Sequence, residues 1–587
     1  MFEQEQRTIE QQINHYLALH HLPEMQFKWS WIPFNGQWGI SLSFFQLAAR
    51  SFSGEKGNVA QKAAEIADGL CETLKIPEGF SRSEAVNGYL NLYFSPVDFS
   101  ARVIETVLTQ GEKYGWSERN GKSVMLEFSH PNTHKAFHVG HLRGAILGDV
   151  LARLEKAAGY DVTRANYPGD IGLHVIKWLW NYLKFHNNER PPQDITKWMG
   201  DLYAEASKRL EENPELEQEV REIYTRWDRR DPEVVACWEE TREWSLAGFR
   251  EMYDRLDIKF DRYYFNSMFE DSGKVLVDEL IQKGIAQDER AEGGPVIVKL
   301  DEKLGLKEEK YRVAVVLRSD GTALYATEDL ALARQKFLDY PQLEKSYYVV
   351  DVRQSLHFLQ VFKTLELAGY DWATRCQHIP YELVNLPGNV VVSSREGTVV
   401  LLEDLIREAI ARALEVVREK NPDLSEEQQL KIAEAIGIGA IKYPMLSRES
   451  TKVVTFDWQT ALDFNGQAAP YIQYAYVRAN SILKKVDHMI PGALQFTGDL
   501  TQSEITLVDL INRLPDEVQK AARDLKPLVL TNLAFEIARA FNDFYTQCPV
   551  LQEVEPTRSF RLRLVAAAKQ AIGNSLALLG ITAPQAM

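Results

Sequence analysis

The sequence predicts an α/β protein in three parts: a Rossmann-like parallel sheet at the centre, a small α+β domain before it and an all-α domain after it. Three observations carry this reading. Val124-Met125-Leu126-Glu127-Phe128 reads as a short buried strand, Leu142, Ile146, Leu147, Val150, Leu151 and Leu154 share one helical face, and Val162 to Asn166 returns as a strand. Tyr89 to Phe94 alternates as a strand behind the turn signal Asn87-Gly88. After Asp457-Trp458, apolar residues recur at helical spacing over 505–514, 530–544 and 560–579, with few strand signals.

Taken in order, residues 1–115 form the α+β part, 116–455 the central α/β part and 456–587 the helical part. The central part is interrupted. Residues from about 190 to 310 are rich in charge and aromatics and look mostly helical, and their Trp and Tyr side chains suit packing better than base stacking. Val313 to Leu317 and Tyr347 to Asp351 then read as apolar strands of the returning sheet, with a helix over 325–339 between them.

A chain of 587 residues with 45% hydrophobic content supports several cores. It has no apolar run long enough to span a membrane, and its polar, acidic opening is unlike a secretory signal. Cys71, Cys237, Cys376 and Cys548 lie far apart, without the CxxC spacing of zinc or redox sites. These features fit a cytoplasmic protein; a monomer is expected. The formal charge of −16 does not exclude a nucleic-acid partner, because a basic track can be local. Arg478, Lys484 and Lys485, and Arg558, Arg561, Arg563 and Lys569, are candidates for such a track, or for ordinary solvated faces.

The loop His138-Val139-Gly140-His141 lies between the first strand and its helix, at the end of the strand where open parallel sheets bind ligands. Gly140 admits close approach to the backbone, the helix start offers free N–H groups, and two imidazoles can donate to phosphate oxygens. Taken alone, the tetrapeptide is first a helix start whose histidines cap and pack. The surrounding strand, helix and strand make it a phosphate loop suited to ATP. Tyr325 and Asp329, four apart, share a helix face. They are either a surface pair or a receptor for a guanidinium, whose planar fork favours a carboxylate.

Glu127-Phe128-Ser129-His130-Pro131-Asn132 followed by Lys135 to Arg143 resembles the signature region of arginyl-tRNA synthetases, which are class I aminoacyl-tRNA synthetases. The resemblance continues through Arg164 to Asp170, Leu324 to Leu330, Ile436 to Tyr443, Phe456-Asp457-Trp458, Ala468 to Arg478 and Leu579-Gly580-Ile581. It implies a class I catalytic domain with a connective insertion, an N-terminal domain that contacts the tRNA elbow and a helical anticodon-binding domain. It implies activation of L-arginine with ATP and Mg²⁺, the metal arriving with the nucleotide rather than on a dedicated protein site, and transfer to tRNA(Arg). By the same resemblance His138, His141 and Lys135 serve the phosphates, with Gly140, Ser393, Ser394 and Arg395 at ATP. Glu127, Asn132, Tyr325, Asp329 and Gln354 would hold arginine, and Tyr471, Gln473, Tyr474 and Arg478 would meet tRNA. For Tyr471 and Tyr474, three apart, a packed helical stripe is the alternative.

The sequence also departs from the family. Where class I synthetases carry a KMSKS loop, residues 391–398 read Val-Val-Ser-Ser-Arg-Glu-Gly-Thr, without either lysine. Lys135, just before the signature, stands where arginyl-tRNA synthetases are thought to compensate. Ile171 replaces the Trp usual after Gly-Asp, and Leu446 to Ser450 differs from the family pattern. These departures keep a second reading open: a synthetase-derived paralogue that binds RNA or activates an amino acid without charging tRNA. Another class I nucleotidyl transferase is a third reading, opposed by the long helical C-terminal part.

Overall fold

Ser123–Glu127 is the middle strand of a five-stranded parallel sheet in the computed structural model, which describes residues 2–52, 57–137, 139–187, 189–386, 390–391, 401–486, 496 and 498–587. The sheet order is Cys376–Tyr381, Leu343–Asp351, Ser123–Glu127, Asp161–Asn166 and Arg262–Tyr263, parallel throughout. Val124 to Glu127 is buried on both faces, as continuous apolar runs in parallel sheets require. From Ser123–Glu127 the chain moves one way across the sheet, then returns to add Leu343–Asp351 on the other side. The strand order therefore reverses beside Glu127, which creates a crevice at the carboxyl ends of these two strands.

Helix Val139–Ala157 makes the first crossover and ends before Gly159, whose φ of +97° gives the expected cap. One strand assignment needs correction. Val313–Leu317 does not join the parallel sheet but pairs antiparallel with Val296–Lys299 in a separate three-stranded sheet, while the two-residue strand Arg262–Tyr263 takes the outer place. A β-branched run announces a strand without naming its neighbour. The interruption contains helices Ile195–Glu212, Glu217–Asp228 and Pro232–Arg255, whose Trp227 and Trp238 pack with Trp178 in one core. These indoles are packing, as expected.

By packing, the chain forms two units. One comprises Gly115–Tyr474, Pro515–Phe535 and Ser575–Met587 and contains the parallel sheet; the other comprises Met1–Tyr114, Ala475–Leu514 and Glu536–Asn574. In the latter, a four-stranded antiparallel sheet includes Phe80–Val86 and Tyr89–Phe94, joined by Asn87 and Gly88 at φ +49° and +85°. Positive φ at both turn residues matches the twist of a tight hairpin. The C-terminal region is helical as expected: Gln502–Asn512, Leu514–Arg523, Pro527–Gln547 and Thr557–Leu578.

Glu155, on the crossover helix, is 3% exposed and makes no ion pair among the described residues, and burial pushes its carboxyl up to about 7. A carboxyl raised in the folded state favours folding below its unfolded pKa of about 4.5, and that advantage is lost as pH climbs to about 7. Glu155→Gln is therefore expected to stabilise this unit by about 2–3 kcal/mol at pH 8 and by under about 1 kcal/mol at pH 5. Denaturation of both proteins at the two pH values checks this; an equal effect at both would show that Glu155 does not titrate differently on folding.

Candidate active site

The loop leaving the middle strand is held in a conformation its side chains do not favour. Ser129, His130 and His134 have φ of +82°, +48° and +60°. Each non-glycine residue there costs on the order of 1–3 kcal/mol, so the surroundings must impose it. They do so with hydrogen bonds. Ser129 Oγ lies 2.7 Å from the Tyr253 hydroxyl, which also accepts from Asn166 Nδ2 at 3.0 Å. The His134 backbone N–H donates to Ser245 Oγ at 2.9 Å, and its ring is 2.8 Å from Thr241 Oγ1 and 2.9 Å from Thr133 Oγ1. Burial, with His174 and Arg242 nearby, holds His134 well below the usual histidine range. It is a neutral strut.

Asn132 pairs with Gly169 as a parallel bridge, so the loop after the first strand is stitched to the loop after the second. Helix Val139–Ala157 then begins, with the His141 ring stacked on buried Phe137 at 5.4 Å. His138, Ser393, Ser394 and Arg395 lie outside the described residues. The next described turn of chain is nevertheless anchored here, because Leu402 N–H donates to the Phe137 carbonyl at 3.0 Å. Lys135 rests its ammonium 4.8 Å from the ring of Tyr203, on helix Ile195–Glu212. Burial, with the Lys135 charge behind it, brings His174 down to about 3.

The other half of the site is acidic. Glu127 ends the middle strand and is buried; Lys336 Nζ approaches one oxygen at 2.6 Å and His130 Nε2 the other at 3.2 Å. Burial opposes its charge, but Lys336 and His130 outweigh it and hold its carboxyl below the usual glutamate range. Lys336 comes from helix Tyr325–Asp339 and lies 3.6 Å above the ring of Tyr348, in the neighbouring strand. Glu127 is thus the partner of a buried lysine and reaches the crevice through His130.

Asp329 Oδ2 is 2.6 Å from His357 Nε2, and Tyr325 opens the same helix with 71% of its surface exposed. Gln354 caps the next helix, Ser355–Leu367, just beyond the end of Leu343–Asp351. Tyr325 and Glu328 line a cavity of about 360 Å³ with Asn266, Arg318, Trp227 and Ile171. Burial pushes Glu328 up to about 8 against the pull of an Asn266 hydrogen bond, and Asp329, Glu270 and Asp170 add to the rise. The Tyr167 hydroxyl, which accepts from Asn266 at 2.8 Å, is raised by burial and by Asp329, Glu328, Glu127 and Asp170. Of these groups Glu127 already has Lys336 and Asp170 has Arg242 at 3.2 Å, whereas Asp329 and Glu328, on the pocket helix, have no Lys or Arg partner among the described residues. A cation there would relieve their mutual repulsion.

Lys336 and His357 escaped the sequence reading. Lys336 lies seven residues after Asp329, on the same helical face, which was an available signal; His357 lies on another helix and gave none. Arg143 was also overlooked. It is buried with its guanidinium on the carbonyls of Glu382, Lys452 and Glu449 at 2.6, 2.7 and 3.1 Å, tying the signature helix to the segments around residues 382 and 450.

The expected tRNA residues divide along helix Ala469–Leu483. Tyr474 is 37% exposed, Tyr471 packs against Phe535, and Arg478 donates to Asn542 at 2.5 Å. Gln473 does not present itself to a partner: it is completely buried, and its amide donates to the carbonyls of Ala435 and Thr582 at 3.0 and 2.7 Å. The candidate basic track is similarly reduced. Arg561 pairs with Glu504 and Glu553, and Arg563 with Glu105, whereas Lys484 and Lys485 stay exposed.

A parallel sheet with a signature helix at its reversal point, followed by a helical C-terminal region, is the arrangement of class I aminoacyl-tRNA synthetases. Residues 103–458 match the family described as tRNA synthetases class I (R), catalytic domain, and residues 472–587 match the DALR anticodon binding domain. The arginine–tRNA ligase of Clostridium perfringens is 38% identical over 89% of this chain and 90% of its own, and that of Clostridium botulinum 36% identical over 88% and 90%. The solved Thermus thermophilus arginyl-tRNA synthetase superposes with a TM-score of 0.73 at 26% identity, over 99% of this chain and 100% of that one. The chain belongs to the arginyl-tRNA synthetase family.

The buried Glu127–Lys336 pair makes its own prediction. Lys336→Met leaves a buried carboxylate without its ammonium and is expected to destabilise the catalytic unit by about 3–5 kcal/mol, while Lys336→Met combined with Glu127→Gln recovers a large part of that loss. Chemical denaturation of the three proteins measures both; additive losses in the double variant would show that the two side chains do not stabilise each other.

Proposed function

We propose that the chain is an arginine–tRNA ligase: it activates L-arginine with ATP to arginyl-adenylate and transfers the arginyl group to the 3′ end of tRNA(Arg), releasing AMP and pyrophosphate. The observation that carries this reading is the acidic region around Asp329 beside the signature loop, in a member of this family. The substrate's guanidinium belongs with Asp329, backed by His357, and with the ring of Tyr325. Asn132, Gln354 and Glu127, the last through His130, fix the rest of the amino acid.

In the first step the arginine carboxylate attacks the α-phosphate of ATP. His138, Gly140 and His141 with the helix start, Lys135, and Ser393, Ser394 and Arg395 stabilise the charge that develops on the phosphates. Mg²⁺ carried by the nucleotide would supply further charge neutralisation there. In the second step the terminal ribose hydroxyl attacks the activated carbonyl and AMP leaves. Residues 1–115 are assigned to docking the tRNA body and 456–587 to the anticodon, with Tyr471, Tyr474 and Arg478 on the RNA side. Gln473 is withdrawn from that set. Among the described residues no helix is long and apolar enough to cross a membrane, and all four cysteines are free.

Nothing favours a non-charging paralogue. Ile171 lines the cavity beside Tyr325 as an apolar wall. The divergent Leu446–Ser450 segment meets Arg143 through the Glu449 carbonyl, a contact indifferent to side-chain identity. Aminoacylation of tRNA(Arg) by the purified protein decides the matter; a folded protein that binds this tRNA without charging it would restore the paralogue.

Two variants test the assigned roles. Asp329→Asn is expected to lower kcat/KM for arginine by about 30-fold to 10³-fold, the cost of removing one partner of a desolvated charge pair; unchanged arginine kinetics would remove it from the pocket. For Lys135→Ala, ATP–pyrophosphate exchange should fall about 10²-fold with tRNA affinity unaltered. Wild-type exchange would reject Lys135 as the substitute for the lysines missing from 391–398.

A further inference from the structure

Three stretches that mark the family in sequence have no part in the chemistry above: Ile436 to Tyr443, Gln473, and Leu579-Gly580-Ile581. They meet at one place. Lys442, 1% exposed, donates from Nζ to the carbonyls of Gly580, at 2.6 Å, and Leu256. Arg153 donates to Asp149 Oδ2 at 2.7 Å, to the Ala577 carbonyl at 3.2 Å and to the Asp257 carbonyl at 2.6 Å. Gln473 donates to the Thr582 carbonyl at 2.7 Å. Gly580, at φ +64°, fits so closely that a Cβ there would lie 3.2 Å from Lys442 Nζ, 3.3 Å from Asp149 Oδ2 and 3.4 Å from Arg153 Nε. The chain from Ala577 to Thr582 is therefore gripped by its backbone carbonyls, by three donors from three different helices.

Asp149 and Arg153 stand on helix Val139–Ala157, whose first turn carries Gly140 and His141. We propose that the C-terminal segment 577–582, clamped by Arg153, Lys442 and Gln473, is a positioning element of the activation step, setting the rotation and axial register of the signature helix. Arg143 fixes that helix near its start; the clamp fixes its second half. Burial brings the Lys442 ammonium down to about 8, with Asp149 and Asp257 opposing and Arg153 adding to the fall, so a charge is kept here against its own desolvation. A helix transmits displacement along its length, and misplacement of about 1 Å at a phosphate site costs about 10²-fold in rate.

The inference rests on the proposed activation chemistry, so wild-type protein is assayed first, with tRNA(Arg) present in every exchange assay: no arginine-dependent ATP–pyrophosphate exchange there would remove that chemistry itself. Gly580→Ala and Lys442→Met are then made in the full chain. The expected result is a fall of about 10²-fold in kcat for exchange, with KM for arginine and tRNA affinity near wild type and transfer from added synthetic arginyl-adenylate within about threefold. A merely structural contact would lower the melting temperature and slow both steps alike. Gly580→Ala leaves every charge of the cluster in place, so it remains informative where Lys442→Met fails to fold. Exchange at wild-type rate in a folded variant, or equal loss of exchange and transfer, overturns the proposal.

Discussion

The buried contact between Glu127 and Lys336 is the constraint on which the acidic half of the site depends. One carboxylate ends the middle strand, one ammonium rises from the helix that also carries Tyr325 and Asp329, and the ring of Tyr348 in the adjacent strand closes over the ammonium. A strand from one part of the sequence and a consecutive helix and strand from about 200 residues further on are thereby fixed at the point where strand order reverses. A purely apolar contact would hold them together but not fix their register, whereas a buried charge tolerates only one partner position. The fixed register sets Asp329 against His357 and leaves Tyr325 exposed over the cavity.

The neighbouring loop shows the same division between support and function. Its three positive φ values are unfavourable locally, and the side chains that impose them, Tyr253, Ser245 and Thr241, all lie on helix Pro232–Arg255 of the interruption. The insertion is thus part of the site's scaffold: without that helix, the turn from Phe128 to Phe137 would relax toward ordinary backbone geometry. Lys135 is drawn into the same dependence, since its ammonium rests on Tyr203 of another insertion helix.

The sequence was legible where local chemistry determines the outcome. The strand, crossover helix and returning strand, the Asn87-Gly88 hairpin and the helical end all follow from periodicity and turn residues, and their boundaries shifted by only a few residues. What it could not convey was pairing. Val313 to Leu317 announced a strand without its sheet, and Asp329 gave no sign of His357, because partners across a fold leave no spacing in the chain. Gln473 illustrates the limit most clearly. A polar residue between two tyrosines on a helix reads as an RNA contact, yet the helix is packed on both sides and the amide serves two backbone carbonyls.

Charge accounting explains how a chain with a formal charge of −16 can serve two polyanionic substrates. Many cations are spent internally: Lys336, Arg143, Arg153, Lys442 and Arg561 are all committed to carboxylates or backbone carbonyls. They act as structure, fixing helices and the C-terminal segment in place. The field a ligand meets is therefore set by the few charges left at the surface of the crevice, not by the total. On the side of the pocket helix these are carboxyl groups, of which Glu328 stays largely protonated near neutral pH chiefly because it is buried. On the side of the signature loop they are Lys135 and the helix start. On the assignment proposed above, a zwitterion with a guanidinium tail and a carboxylate head would lie across that gradient tail toward Asp329 and head toward the phosphates, which is the orientation that attack on the α-phosphate requires.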